Sequence, residues 1–265
     1  MIREEDLKEN FIIWWEKNYN KLKIELLQIK CNSFFLKYIF KINLILIFIL
    51  YNKKNKIHVG ALLFILNGIL YVIGEFIAAV GTGFPLGEVY SKHFISSLGV
   101  YPHLVVDGVP NGFSKLAILM NIDFVVTGIV FFIAYYLLVF EKLKIRRFGF
   151  LFIITPLIFA IGSVLVGLYQ GGVPSEDGLH GLGARLSFLG GNFTALISGI
   201  ALFSENKKYG AVSILLGIIG LVSAGFMNNA INNNLSEVVA IYERMTVYPI
   251  TIWQLITGIV FLKKK

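Results

Sequence analysis

The sequence predicts an all-α, polytopic transmembrane helix bundle, and three observations carry that prediction. Of 265 residues, 56% are hydrophobic and 15% charged, whereas a soluble domain is roughly 45–50% apolar and about 25% charged. Six segments approach the length of about 20 apolar residues that crosses a hydrocarbon core of roughly 30 Å: 59–81, 116–140, 149–170, 186–204, 210–229 and 245–262. None of them alternates as the strands of a membrane barrel do. Lipid-exposed backbone must satisfy its own hydrogen bonds, so each segment reads as a helix. A mean hydropathy of +0.74 excludes a disordered chain.

The chain divides into an N-terminal extension, 1–58, and a six-helix domain, 59–265. Residues 1–33 set Phe11, Ile12, Ile13, Trp14 and Trp15 among balanced charges, the pattern of an amphipathic helix on a membrane surface. In 34–51, Lys37 and Lys41 leave only 42–51 free of charge. That length suits an interfacial or re-entrant segment, with a seventh span left open. The first apolar run comes late and no small-residue cleavage site follows it, so no secretory signal is read. No repeat and no Gly/Ser-rich linker divides the six-helix part. The one cysteine, Cys31, excludes a disulfide framework or a thiolate cluster within one chain.

Orientation follows from the cations. With the N-terminus inside, segments 1–58, 141–148, 205–209 and 263–265 hold 20 of the 24 Lys and Arg residues. The outer side keeps only Lys92, Lys115, Arg185 and Arg244. This is a strong positive-inside bias. A span at 34–51 would move the residues before it outside without moving the later loops. The expectation is a cell-membrane protein with a cytoplasmic C-terminus. The net charge of +8 is read as topology, with membrane lipids and no nucleic acid as partners.

The longer connections, 82–115, 171–185 and 230–244, fall outside and carry most of the chemically capable side chains. Ionisable groups at membrane depth are costly and usually face a bundle interior. Glu75 reads as a general base, a metal ligand, a partner of Arg244 or a carboxylate reaching the headgroups. Asp123, close to Asn121, reads as a cation or proton site or as an interhelical hydrogen-bond partner of Asn67 or another polar group. His180, placed just before the fourth helix, could shuttle a proton near neutral pH or lie idle at the surface. Glu243 and Arg244 open the last span as an internal pair or as a clamp on an anionic head, which the planar fork of Arg suits. His93 and His103 lack the helical His-x-x-x-His spacing of a zinc site, so no metal is expected. Glycines within the helices read as packing positions. There is no Walker loop, nucleophile elbow, dinucleotide fingerprint or paired-histidine haem pattern, so no cofactor is expected.

Several short motifs resemble a known family. Tyr90-Ser91 followed by Ile95-Ser96-Ser97-Leu98-Gly99 resembles the "YS…ISDLG" loop of the membrane family known as domain of unknown function 998, with Ser97 in place of the usual Asp. Asn121 followed by Gly128 resembles its "FN…G" element, with Met120 for Phe. Leu179-His180-Gly181 followed by Ala184 and Phe188 resembles the start of its fourth helix. Glu243-Arg244-Met245-Thr246-Val247-Tyr248-Pro249 followed by Trp253 resembles its closing "ER…VYP…W" segment and is the most specific match. The resemblance covers about 59–262. It implies an uncharacterised six-helix membrane protein of a group common in archaea, and no reaction.

The motif residues gather on the side that the charges place outside. The expected site is therefore an outward pocket of Glu75, Tyr90, Ser91, Asn121, Asp123, His180, Glu243, Arg244 and Tyr248. Such a pocket suits an amphiphile with an anionic or sugar head. The expected function is to bind or move a lipid or small amphiphile. The alternatives are an enzyme acting on a lipid head through a His/Glu pair and a structural membrane component. Pro156, early in its helix, is no mid-span break of the kind that marks transporters.

Overall fold

The computed structural model describes residues 53–102, 105–106, 109–110, 113–143, 149–171 and 178–263. The readings of 1–33 and 34–51, and of His103, lie outside the described residues. The helices are α1 (Lys53–Val80), α2 (Leu86–Lys92), α3 (Ala117–Tyr135), α4 (Glu141–Leu143), α5 (Leu151–Leu168), α6 (Leu179–Leu202), α7 (Lys207–Asn232) and α8 (Ser236–Leu262). A π-helical turn, Tyr136–Phe140, joins α3 to α4. A 3-10 turn, Ser96–Gly99, follows α2. The strands among the described residues, Val105–Val106 and Val109–Pro110, form one short antiparallel pair.

Six helical stretches are long and apolar enough to cross a membrane: Asn55–Val80, Ala117–Leu143, Leu151–Leu168, Leu179–Leu202, Lys207–Asn232 and Glu237–Leu262. The molecule is a multi-pass membrane protein. Two boundaries correct the expectation. The fourth and sixth spans begin well before 186 and 245, so His180, Arg185, Glu243 and Arg244 lie within helices rather than in connections. An apolar run ends at the first polar cluster, but a helix continues wherever those polar side chains turn toward protein rather than lipid.

The sidedness of α1 is inverted relative to a soluble helix. Leu66, Ile69, Leu70, Ile73, Phe76 and Val80 form an exposed stripe, with Leu66 and Leu70 each 55% exposed. Asn67, Tyr71 and Glu75, spaced four apart, form the buried stripe. A contiguous exposed apolar face is a liability in water and the normal state in lipid. Consecutive spans pack side by side (α1 with α3, α3 with α5, α5 with α6, α6 with α7, α7 with α8), and α8 returns to α1. The ring closes on itself.

Lipid tails supply no hydrophobic drive between helices, so close backbone approach must hold the ring together. The α5–α6 seam shows this. A Cβ on Gly162 would lie 2.3 Å from the Ser187 amide nitrogen, and one on Gly190 would lie 2.4 Å from that of Phe159. Only a glycine fits at either position.

The two ends of the ring differ. The end with the short connections is filled by aromatic packing, where Phe64 and Phe131 sit edge-on to each other at 5.3 Å and Phe64 meets Trp253 at 5.6 Å. The polar tips there are satisfied across helices. Trp253 Nε1 donates to Ser213 Oγ at 3.1 Å, Tyr135 Oη lies 3.0 Å from Ser198 Oγ, and Lys56 pairs with Glu141 at 3.1 Å. The end with the long connections holds Glu75, Glu243 and Arg244, all buried.

Candidate functional site: a charged clasp above an interhelical cleft

The site begins with the α1 stripe. Midway along the helix, Asn67 Nδ2 donates to Gln254 Oε1 of α8 at 3.1 Å and to the Thr127 carbonyl of α3 at 3.3 Å. Two turns further on, Glu75 meets α8 again. Tyr248 Oη donates to Glu75 Oε1 at 3.0 Å, and Arg244 Nε lies 3.4 Å from the same oxygen. Glu75 is 2% exposed and Arg244 5%. Arg244 Nη1 donates to the His93 carbonyl at 2.7 Å, while Nε and Nη2 are buried with no aligned acceptor. The 3.4 Å approach is thus a charge contact rather than a directed hydrogen bond.

Residues 81–102 of the connection fold back over this end and are pinned there by Arg244, Glu243 and Asn121. The Tyr90 ring lies 5.0 Å from the Arg244 guanidinium carbon, a cation–π distance. Partial burial pushes the Tyr90 hydroxyl above its ordinary value, and the nearby Glu75 charge adds to the rise, with Arg244 opposing. The Ile95 amide donates to Glu243 Oε2. Asn121 Nδ2 donates to the Gly99 carbonyl at 2.9 Å, and Ser114 Oγ donates to Ala78 O at 2.7 Å. Val89, Ile95 and Leu98 of the connection are buried.

Glu243 and Arg244 are adjacent on α8 and so point about 100° apart, at 3.6 residues per turn. Arg244 faces α1 and α2. Glu243 faces a cleft with about 40 Å³ of free interior. The cleft runs from Ile95 and Ser96 down to Thr127 and Gln254. Its walls come from α1 (Tyr71), α3 (Phe124), α5 (Phe159, Ser163), α6 (Ala184, Ser187, Phe188) and α8 (Val247, Thr251). Glu243 is the only charged residue in that lining.

The expected residues therefore separate. Glu75, Tyr90, Arg244 and Tyr248 meet directly. Glu243 stands beside them and turns into the cleft. Asn121 holds the 3-10 turn. Asp123 does not bond Asn67; its carboxylate lies against Gly74, where a Cβ would be 2.7 Å from Oδ2, and that oxygen is buried without a partner among the described residues. Ser91 Oγ is spent within α2, donating to the Gly87 carbonyl at 2.7 Å. His180 Nδ1 lies 2.7 Å from the Tyr169 carbonyl. A carbonyl only accepts, so Nδ1 carries a proton, and the ring ties α6 to the end of α5.

A family model described as a protein of unknown function (DUF998) matches residues 108–260. The chain belongs to the DUF998 family. The DUF998 match takes in Asn121, Asp123, His180 and the whole Glu243–Tyr248 segment, and it leaves α1 and α2 outside. The charged clasp is thus built across that boundary, with Arg244 and Tyr248 from within the matched residues and Glu75 and Tyr90 from before them. No curated protein and no solved structure matches the chain.

Sequence reasoning missed most of the cleft lining: Tyr71, Ser96, Thr127, Ser163, Ser187, Thr251 and Gln254. A signal for some of it was present. Tyr71 is four residues before Glu75, Thr127 four after Asp123, and Thr251 eight after Glu243, so each shares a helix face with a polar residue already singled out.

Proposed function

We propose that this DUF998 member binds or moves a small amphiphile through the cleft, which opens on the outer side of the cell membrane while the C-terminus lies in the cytoplasm. The observation that carries this reading is the cleft itself. A mostly apolar space with a few convergent polar groups enters the bundle between packed helices, which is where ligand sites in helical proteins are built. Ser96, Thr127, Ser187 and Gln254 offer hydrogen bonds along it, and the exposed apolar surface around it gives an acyl chain a place to lie. A purely structural bundle would gain from filling this space with side chains.

The enzyme reading has less support. His180 is engaged with the Tyr169 carbonyl, and the cleft is lined by no histidine. A general acid–base pair needs its members within about 3 Å of the reacting group or one water away.

The test is mass spectrometry of lipids and small molecules retained by the purified full chain and by Ala184→Phe, which fills the cleft. A compound held by the native protein and lost from the folded variant supports the reading. Identical retained profiles overturn it.

A further inference from the structure

We propose that the cleft takes a small organic ammonium group, carried on an amphiphile or as a free amine, with Glu243 as its counter-ion. This inference rests on the ligand-binding reading above and names the chemistry of the ligand. Charge is the first argument. Glu243 is the only charged residue among those lining the cleft, and it is 4% exposed. A buried carboxylate is costly unless it is hydrogen-bonded and paired with a positive group, and the bond the cleft residues give Glu243 is from a backbone amide, that of Ile95. The adjacent cation, Arg244, is turned away to Glu75 and the His93 carbonyl. An anionic head entering the cleft would meet the Glu243 carboxylate with no cation in the lining to offset it.

The walls are the second argument. Tyr71, Phe124, Phe159 and Phe188 line the same space, and aromatic faces attract ammonium groups, most strongly where water is excluded. Thr127 Oγ1, also in the lining and one turn from Asp123, is buried and has a lone pair that can accept from an N–H. Size is the third. The free core holds about three waters, at the roughly 10–15 Å³ of accessible volume that each requires. A methylated or primary amine fits that room. The room suits such a group better than the sugar ring or phosphodiester suggested by the sequence.

The test uses hexylammonium and hexanoate, which share a chain and differ in the sign of the head. Each is titrated into the full chain purified in an uncharged detergent, and binding is read by calorimetry and by the shift in thermal unfolding. Hexylammonium is expected to bind and to raise the unfolding temperature, and hexanoate to do neither. Glu243→Gln is expected to weaken hexylammonium binding at least about ten-fold, equivalent to about 1.4 kcal/mol. Glu243 also holds the Ile95 amide, so Phe188→Leu provides a second variant that leaves that bond in place. It is expected to weaken binding about three-fold. Equal binding of both probes, or hexylammonium affinity unchanged in both variants, overturns the proposal.

Repeating the titration in vesicles distinguishes the source. Weaker hexylammonium binding in phosphatidylethanolamine than in uncharged glycolipid vesicles, which match its net charge and lack an ammonium, assigns the ammonium to a lipid head, and equal binding assigns it to a free amine. If hexylammonium does not bind while Ala184→Phe still strips a retained compound, the ammonium assignment falls and the ligand-binding reading stands. If Ala184→Phe strips nothing and neither probe binds, both fall.

Discussion

Arg244 is the residue on which most of the long-loop end depends. Its guanidinium touches three elements: the Glu75 carboxylate of α1, the Tyr90 ring of α2 and the carbonyl of His93 just beyond α2. Removing one partner of a buried ion pair strands the other charge, which costs about 3–5 kcal/mol. Arg244→Met is therefore expected to lower the unfolding temperature in detergent sharply. The double variant Glu75→Gln/Arg244→Met recovers much of that loss, because no lone charge remains. A double variant no more stable than Arg244→Met alone would show that the charges are uncoupled. Tyr248→Phe removes only the hydrogen bond to Glu75 and is expected to cost about 1–3 kcal/mol. Tyr90 adds a test by pH. Its folded hydroxyl titrates above the ordinary value near 10, so the folded state holds that proton longer than the unfolded chain. The stability tied to it is present below the unfolded value and is lost as pH rises from there through the folded value. In an alkaline absorbance titration, the difference between the native protein and Tyr90→Phe should appear late, above that value. A difference completed by pH 10 would contradict it.

At the scale of elements, the ring of spans is held by small residues where helices touch. A methyl group added at Gly190 meets the backbone of α5 rather than a side chain able to swing away. Gly190→Ala is expected to destabilise by about 1–3 kcal/mol, the usual cost of overpacking. Gly225→Ala, whose added carbon meets nothing within 4 Å, is expected to be neutral or to stabilise by up to about 1 kcal/mol through helix propensity. Unfolding curves that rank the two variants the other way would remove the seam argument. The existence of these elements was legible because lipid imposes a length and a composition that survive in a single sequence. Their ends were less so. The polar segments Leu179–Arg185 and Ser236–Arg244 read as connections because hydropathy averages over all faces of a helix, while in the structure the polar faces turn inward. Glu75 with Arg244 was readable as a pair, since both are ionisable groups at the same depth. The separation of His180 from them was not, because its partner is a backbone carbonyl, and no residue type announces that. Nor was the opposed aim of Glu243 and Arg244, although adjacency on a helix implies it.

For the whole molecule, the decisive property is which end of the ring faces the cell exterior. The charged clasp and residues 81–102 belong to one end, and Lys56, Lys207 and Lys208 belong to the other. Positive-inside bias orients a bundle through the short loops that flank its spans, and from residue 53 onward 12 of the 16 cations fall at the end with the short connections, wherever the residues before them lie. Lys92, exposed at the end of α2, and Lys207, exposed at the start of α7, lie at opposite ends of the ring. After Cys31 is replaced by serine, a cysteine introduced at position 92 should react with a membrane-impermeant maleimide in intact cells. One at position 207 should react only after the membrane is opened. The reverse pattern would turn the cleft toward the cytoplasm, and a ligand would then have to enter from within. Reaction at both positions in intact cells would mean that the chain inserts in two orientations, a state that the charge asymmetry argues against.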